Sequence, residues 1–498
     1  MSASRSAGLL VHPTALPSPF GIGDLGPEAR RFADFLQSAG LSRWQILPLG
    51  PTGYGDSPYS ALSSFAGNPL LVSPETLVED GFLDSRELPP AVPPGPVDYP
   101  AVEASRAPMF DAAHRRFAAG APETLRDEYR KFREGAASWL EEYALFLSLK
   151  ERFGGSLWLE WDRGARLREP AALASARRDL ETPIERHRFT QFLFERQWQA
   201  LRGYARERGL SIVGDVPIFA ALDSADVWAR RDLFKLDAEG RPTVVSGVPP
   251  DYFSQTGQLW GNPIYRWPAH AEEGFRWWIE RLQAVLARCD AVRLDHFRGF
   301  EACWEVPAGE PNAVNGKWVK APGGKLFDAV KSALGEVELW AEDLGLITPG
   351  VERLRDRFRF PGMKVIQFAF GDDAKNPFLP HNLVPRCVAY TGTHDNEPTR
   401  SWFAGLSERE RARVLAYTGT DGREIERDLA RWLFASVADT VILPIADVIG
   451  GGAEARFNTP GKSEGNWRWR LAPGKIGDAE RGWLAYLCET YGRTTATS

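Results

Sequence analysis

The sequence predicts an α/β protein, a (β/α)8 barrel, and three observations carry that prediction. Short apolar runs recur along the chain and turn abruptly polar, as buried strands do at their ends. Most of these runs are separated by stretches with the 3.6-residue apolar period of a helix. Acidic residues stand at the ends of several runs, and a parallel barrel is the arrangement that points all its strand C-termini at one rim. The clearest run is Ala291-Val292-Arg293-Leu294-Asp295-His296. There Asp295 would sit at the strand end, with Arg293 two residues back on the same face, which favours the charged carboxylate. For one such acid, a salt bridge capping a strand is the simpler explanation. The recurrence at Asp215, Glu342 and Asp395 shifts the balance towards a shared site.

Taken in order, Gly8 to His12 is the first strand. Pro27 then opens a helix at a favourable first position, with Ala29, Phe32, Phe35 and Leu36 as its stripe and Gly40 as its C-terminal cap. Arg43 to Pro48 is the second strand. The loop Leu49 to Tyr59 is too rich in Gly and Pro for regular structure, and it offers Tyr54 and Tyr59 as rings to stack on a ligand. From Ser73 the strand–helix alternation stops. Leu88 to Pro96 is a Pro-rich connector, Asp127 to Phe153 reads as one long helix, and the helix Ile184 to Arg208, closed by Gly209, returns the chain to the barrel. The segment of about 73–183 is therefore a mostly helical insertion. The third strand ends at Asp215. A second insertion, about 220–270, holds the aperiodic loop Gly247 to Pro263, dense in Gly, Pro, amide and aromatic residues that suit a ligand with many hydroxyls.

The helix Glu272 to Arg288 leads to the fourth strand, and Leu326 to Leu334 leads to the fifth, which ends at Glu342. Val351 to Arg359 precedes the sixth, Met363 to Phe370. The seventh ends before Asp395. Helices at Glu408 to Thr418 and Arg423 to Val437 lead to the eighth, Thr440 to Ala446. The expectation is one catalytic barrel over residues 1–498 with large inserted subdomains.

Composition excludes several functions. A net charge of −6 without a dense Lys/Arg block argues against nucleic acid. No apolar stretch is long enough to span a membrane. The four cysteines are scattered with no CxxC pair, so reduced thiols in a cytoplasmic protein are expected. The seven histidines lack HxxxH and HExxH spacing, so no metal is expected. Gly21-Ile22-Gly23-Asp24-Leu25-Gly26 fits GxGxxG, but a Pro-broken loop separates it from its strand, so no nucleotide cofactor is expected either. No GxSxG elbow is present, although composition alone leaves a Ser/His/Asp triad open. Many of the 18 Trp and 28 Phe belong to the core, but Trp is costly to bury without a partner for its N–H, and rings with one wet edge make platforms for sugar faces.

Paired carboxylates at a barrel rim with aromatic and amide loops fit glycosyl transfer. Asp295, beside Arg293, suits the nucleophile. Glu342 has the longer reach, and Asp343 next to it would raise its pKa, so it suits the general acid. His394 and Asp395 would hydrogen-bond sugar hydroxyls. A mainly hydrolytic alpha-glucanase, or a glucan-binding protein with a dead site, is the rival reading.

Val292 to His296, Ala341 to Gly345 and Tyr390 to Asn396 resemble the signature segments of the amylomaltases, the 4-alpha-glucanotransferases or disproportionating enzymes of the alpha-amylase clan. Leu47 to Tyr59, Gly247 to Pro263, Asn458-Thr459-Pro460-Gly461 and Glu464 to Trp467 are similar to that family as well, so the likeness runs from Gly8 to about Leu471. Glu397-Pro398 departs from it, standing where the family pattern has Asp-Thr. The resemblance implies a (β/α)8 barrel with no C-terminal β-sandwich domain. It implies Asp295 as nucleophile, Glu342 as acid/base and Asp395 as transition-state stabiliser. Arg293, His394, Asp215 and Asp251 are implied around the donor sugar, Gln258, Trp260 and Asn466 near the acceptor path, and Ser57, Tyr59, Phe253 and His296 as further substrate contacts. Tyr54 and Tyr99 are implied in a second, non-catalytic glucan site. The implied partners are maltooligosaccharides and alpha-1,4-glucans (amylose, starch, glycogen), with glucose as acceptor, for a monomer or weak oligomer.

Overall fold

The computed structural model describes residues 5–250, 254–462 and 464–494. Eight parallel strands close into a barrel in chain order: β1 (Ser6–Leu10), β2 (Arg43–Gln45), β3 (Ser211–Val216), β4 (Ala291–Leu294), β5 (Glu338–Ala341), β6 (Gly362–Val365), β7 (Cys387–Tyr390) and β8 (Thr440–Pro444), which pairs back onto β1. These are the eight strands the sequence predicts. Alternate residues along them enter different buried clusters, as a period of two requires. Leu10, Val213, Ala291, Met363, Val388 and Ile442 pack together with Trp340 and Tyr390. Their neighbours Leu9, Ile212, Ala389 and Val441 join the large cluster that receives several of the helices.

Register places the site. Asp215 pairs with Arg293, Arg293 with Trp340 and Leu294 with Ala341. Asp295 and Glu342 therefore emerge together, one residue past the ends of adjacent strands. Both acids and Asp395 stand on the C-terminal rim.

Outside the barrel the structure departs from the periodicity in several places. The predicted helix over Asp127 to Phe153 is two, Glu123–Gly135 and Leu140–Arg152, broken after Gly135. The apolar stripe runs on because residues from both sides of the break are buried. The predicted helix over Glu272 to Arg288 is also two, Trp267–Glu272 and Arg276–Leu286. Gly274 and Phe275 between them take left-handed φ of 64° and 59°. A left-handed Phe is strained by roughly 1–2 kcal/mol, and its buried ring holds it there. The helix Tyr99–Gly120 is not legible from periodicity, since Pro100 and Pro108 interrupt the pattern. The sixth strand is shorter than predicted, because Ile366–Ala369 tightens into a 3-10 turn. The helix Asp478–Thr490, also unpredicted, packs against the helices Pro27–Ser38 and Ile425–Ala435.

The largest correction concerns Gly247 to Pro263. It is not an aperiodic loop. Val244–Val248 and Gln258–Pro263 are antiparallel strands in a four-stranded sheet completed by Ala302–Pro307 and Lys317–Lys320. Gly247 lies opposite Leu259, and a Cβ there would meet the Gln258 carbonyl oxygen at 2.6 Å. Gly257 supplies a left-handed φ of 67° beside it. The glycines that make this pairing possible are the residues that hid the alternation. Among the described residues no strand follows β8, and no helix is long and apolar enough to cross a membrane.

Candidate active site

Arg293 is the hub of the site. Its guanidinium donates two hydrogen bonds from Nη1 to the Asp215 carboxylate (2.9 and 2.7 Å) and one from Nη2 to Asp295 Oδ1 (2.7 Å). The Arg293 and Asp215 side chains are 4% and 0% exposed, whereas Asp295 is 28% exposed, so the hub is buried and the rim acid is accessible. Burial pushes the Asp215 acid up to about 7, while Arg293 pulls it down and is itself held well above its ordinary value. The guanidinium and the Tyr59 hydroxyl (2.7 Å to Oδ2) all donate to Asp215, and these bonds oppose the upward push of burial. With one cation against two carboxylates, Asp295 is oriented at one oxygen and the other is left for chemistry.

Glu342 follows β5, and its acid is wrapped by backbone. Oε2 accepts the His296 N–H (2.8 Å) and Oε1 the Leu344 N–H (3.1 Å). His296 adopts a left-handed φ of 47°, turning the chain sharply after Asp295. Glu342 itself is partly buried. Burial first, and the Asp295 charge second, push it up to about 8, with Arg293 and the Leu344 N–H opposing. Asp343 raises this acid, as expected, but only weakly. Asp343 turns away, accepting the Met363 N–H (2.7 Å) and an Arg355 hydrogen bond (2.5 Å), and it is the least of the five influences on Glu342.

Asp395 stands on the loop after β7, its side chain 43% exposed, with His394 Nε2 3.4 Å from Oδ1. The buried His394 ring lies parallel to Tyr59 (centroids 5.1 Å, 14°), and Trp467 flanks both at 6.0 and 5.7 Å. Burial pushes the His394 imidazole down, so it faces a ligand uncharged. Contacts run from Asp395 through His394, Tyr59, Asp215 and Arg293 to Asp295, whose charge in turn acts on Glu342. The three carboxylates are thus linked along the C-terminal rim.

The remaining predicted residues divide. Trp260 is exposed on the cover sheet, its indole edge-on to the His296 ring at 4.7 Å, and its N–H donates to Gln258 Oε1 (3.1 Å). Trp260 thus reaches the residue whose N–H donates to Glu342. Ser57 accepts the Tyr59 N–H (3.2 Å) and shapes the loop that carries that ring. Asn466 is buried, with its amide committed to the backbone of Thr459 and Lys462, so it shapes a loop and has no free group for an acceptor sugar. Tyr54 is 82% exposed, but Tyr99 is 2% exposed and donates its hydroxyl to the Trp467 carbonyl (3.0 Å). Tyr99 has no ring face to share with Tyr54; that pairing fails because its helix faces the core. Asp251 and Phe253 lie outside the described residues. Among the described residues no group of three His, Cys, Asp or Glu could hold a metal ion.

The sequence profile of glycoside hydrolase family 77, described as 4-alpha-glucanotransferase, matches residues 11–475. The chain belongs to this family. A 4-alpha-glucanotransferase of Thermus thermophilus is 52% identical over 484 residues, covering 96% of each chain. A chloroplastic/amyloplastic 4-alpha-glucanotransferase of Solanum tuberosum is 44% identical, covering 98% of this chain and 86% of its own. The structure of a Streptococcus agalactiae amylomaltase in complex with acarbose superposes with a TM-score of 0.95 at 38% identity, covering 99% of this chain and all of that one. The protein is thus a 4-alpha-glucanotransferase.

In this family 77 enzyme the rim also holds side chains that the periodicity did not single out. His12, at the end of β1, accepts the Leu47 N–H at Nδ1 (3.3 Å), and burial with nearby His394 pushes it down to about 3. Trp467 takes a left-handed φ of 65° to reach Tyr59. Asn458 donates to Asp395 from the loop after β8. Asn458 and Trp467 fall in aperiodic motifs whose only sequence signal is the family likeness itself.

Proposed function

We propose that this 4-alpha-glucanotransferase moves an alpha-1,4-glucan segment from a donor to the 4-hydroxyl of an acceptor glucan or glucose by a retaining double displacement. Asp295 attacks the anomeric carbon and forms a glycosyl ester. Glu342 protonates the departing oxygen and then takes a proton from the acceptor hydroxyl. Asp395, His394 and the Asp215–Arg293 pair hold the donor sugar and bind it more tightly as its ring distorts. The observation that carries this reading is the asymmetry of the two acids: Asp295 is paired with Arg293, and Glu342, raised to about 8, keeps its proton beside it. Trp260, with the cover sheet beneath it, supports the preference for a sugar over water as acceptor, by shielding the cleft. The substrates are maltooligosaccharides and longer glucans such as amylose, starch or glycogen. The chain works as one catalytic barrel with inserts at about 73–183 and 220–270. Four unpaired, buried cysteines support a reducing compartment, the cytoplasm.

The test is product analysis on maltotriose with labelled glucose as acceptor. Label in chains longer than maltotriose is expected; glucose and maltose alone would mean water wins. The pH profile adds a second check. Because Glu342 must enter the reaction protonated, kcat/KM should fall on the basic side as pH rises through about 8. A profile flat from about pH 6.5 to 10 would remove Glu342 from the acid role.

A further inference from the structure

We propose that Asn458 is a positioning residue for Asp395, and that Arg456 is the clamp that keeps the two together. The inference rests on the role given to Asp395 above. Asn458 is buried. Its backbone N–H donates to the His394 carbonyl (3.2 Å), and its Nδ2 donates to Asp395 Oδ1 (2.6 Å). An amide donor on a carboxylate makes a strong, charge-assisted bond, and an amide cannot take the proton away. With Oδ1 held by Asn458, Oδ2 is left to the sugar.

Arg456 ties this arrangement across two strands. Nε donates to the Asn458 carbonyl (2.9 Å), Nη2 to the Asp395 carbonyl (3.3 Å) and Nη1 to Glu397 Oε1 (2.9 Å). One planar guanidinium therefore joins the loop after β7 to the loop after β8, at the two residues whose side chains meet. Glu397, where the sequence departs from the family pattern, is the acidic end of the clamp. Its carbonyl is fixed from the other side by the Gln367 amide (3.0 Å). An acid that is 43% exposed and hangs on a loop would otherwise turn about its side-chain torsions. A displacement of about 1 Å from the productive position costs on the order of 10²-fold.

A double-mutant cycle on maltotriose turnover tests this. Asn458→Ala should lower kcat about 10- to 100-fold with KM changed less than about threefold, because the amide acts on the transition-state acid and not on ground-state binding. In an Asp395→Ala background, whose residual turnover needs long incubations, the same substitution should cost less than about threefold. Asn458→Asp preserves size but sets two carboxylates together. Its activity relative to the parent should recover as pH falls and the pair gains a shared proton that restores the donor. That variant, with Arg456→Gln as a milder version of the same loss, carries the test if Asn458→Ala does not fold. A full Asn458→Ala loss that persists without Asp395, or a rise in KM at unchanged kcat, overturns the proposal. Asp395→Ala retaining its turnover overturns the reading of Asp395 and this proposal with it. An inactive Asp395→Ala beside an unimpaired Asn458→Ala overturns the proposal alone.

Discussion

Replacing Asp295 by asparagine is expected to lower turnover on maltotriose at least ~10³-fold while the barrel stays folded. The size of the loss follows from the role: an amide oxygen cannot form the glycosyl ester, and no other acid is oriented to replace it. Asp215 is buried behind Arg293 with its oxygens occupied by donors, and Glu342 holds its proton. Folding survives because Arg293 keeps both bonds to Asp215, and the asparagine carbonyl can still accept from Nη2. The substitution also removes the charge that helps raise Glu342, so whatever activity remains should lose its basic limb at a lower pH than the parent. Turnover is checked with circular dichroism and the unfolding temperature measured beside it. Peptide mapping after reaction with a 2-fluoro donor should place the trapped sugar on Asp295. An unchanged rate, or an adduct on another residue, would sink the assignment.

The barrel was legible because parallel strands buried on both sides must be nearly continuous apolar runs, and those runs leave few other readings. The acids at their ends were legible for the same reason, since a charge directly after such a run has one place to go. What stayed hidden depends on contacts that no local pattern carries. Asp343 adjoins Glu342 in sequence, yet the strand's alternation aims it at Arg355 and the Met363 N–H, away from the pocket. Gly247 and Gly257 look like loop residues and are what allows two strands to approach. Tyr99 reads as a surface ring beside a Pro-rich connector, but its helix turns it under Trp467. Asn458 stands 63 residues from the acid it touches, and only the pairing of β7 with β8 brings the two loops together.

Glu342→Gln should separate the roles of the two acids. On maltotriose the loss is expected to be on the order of 10³-fold or more, since the departing sugar oxygen must be protonated as its bond breaks. On alpha-maltosyl fluoride the first step should be nearly restored, because fluoride leaves without a proton. The same donor should not rescue Asp295→Asn, which lacks the nucleophile itself. The variant should also change stability in a pH-dependent way. A folded-state acid raised from its ordinary value near 4.5 to about 8 stabilises the fold only while protonated. That contribution is complete below the unfolded-state value, declines as pH rises, and is lost above about 8, where a buried negative charge faces Asp295. Glutamine keeps the shape and never ionises. Thermal unfolding followed from pH 5 to 9 should therefore show the variant gaining on the parent as pH rises to about 8, with the gap levelling off above it. A variant that falls further behind the parent at pH 9 would mean that Glu342 is ionised in the folded enzyme at neutral pH and enters the reaction as a base.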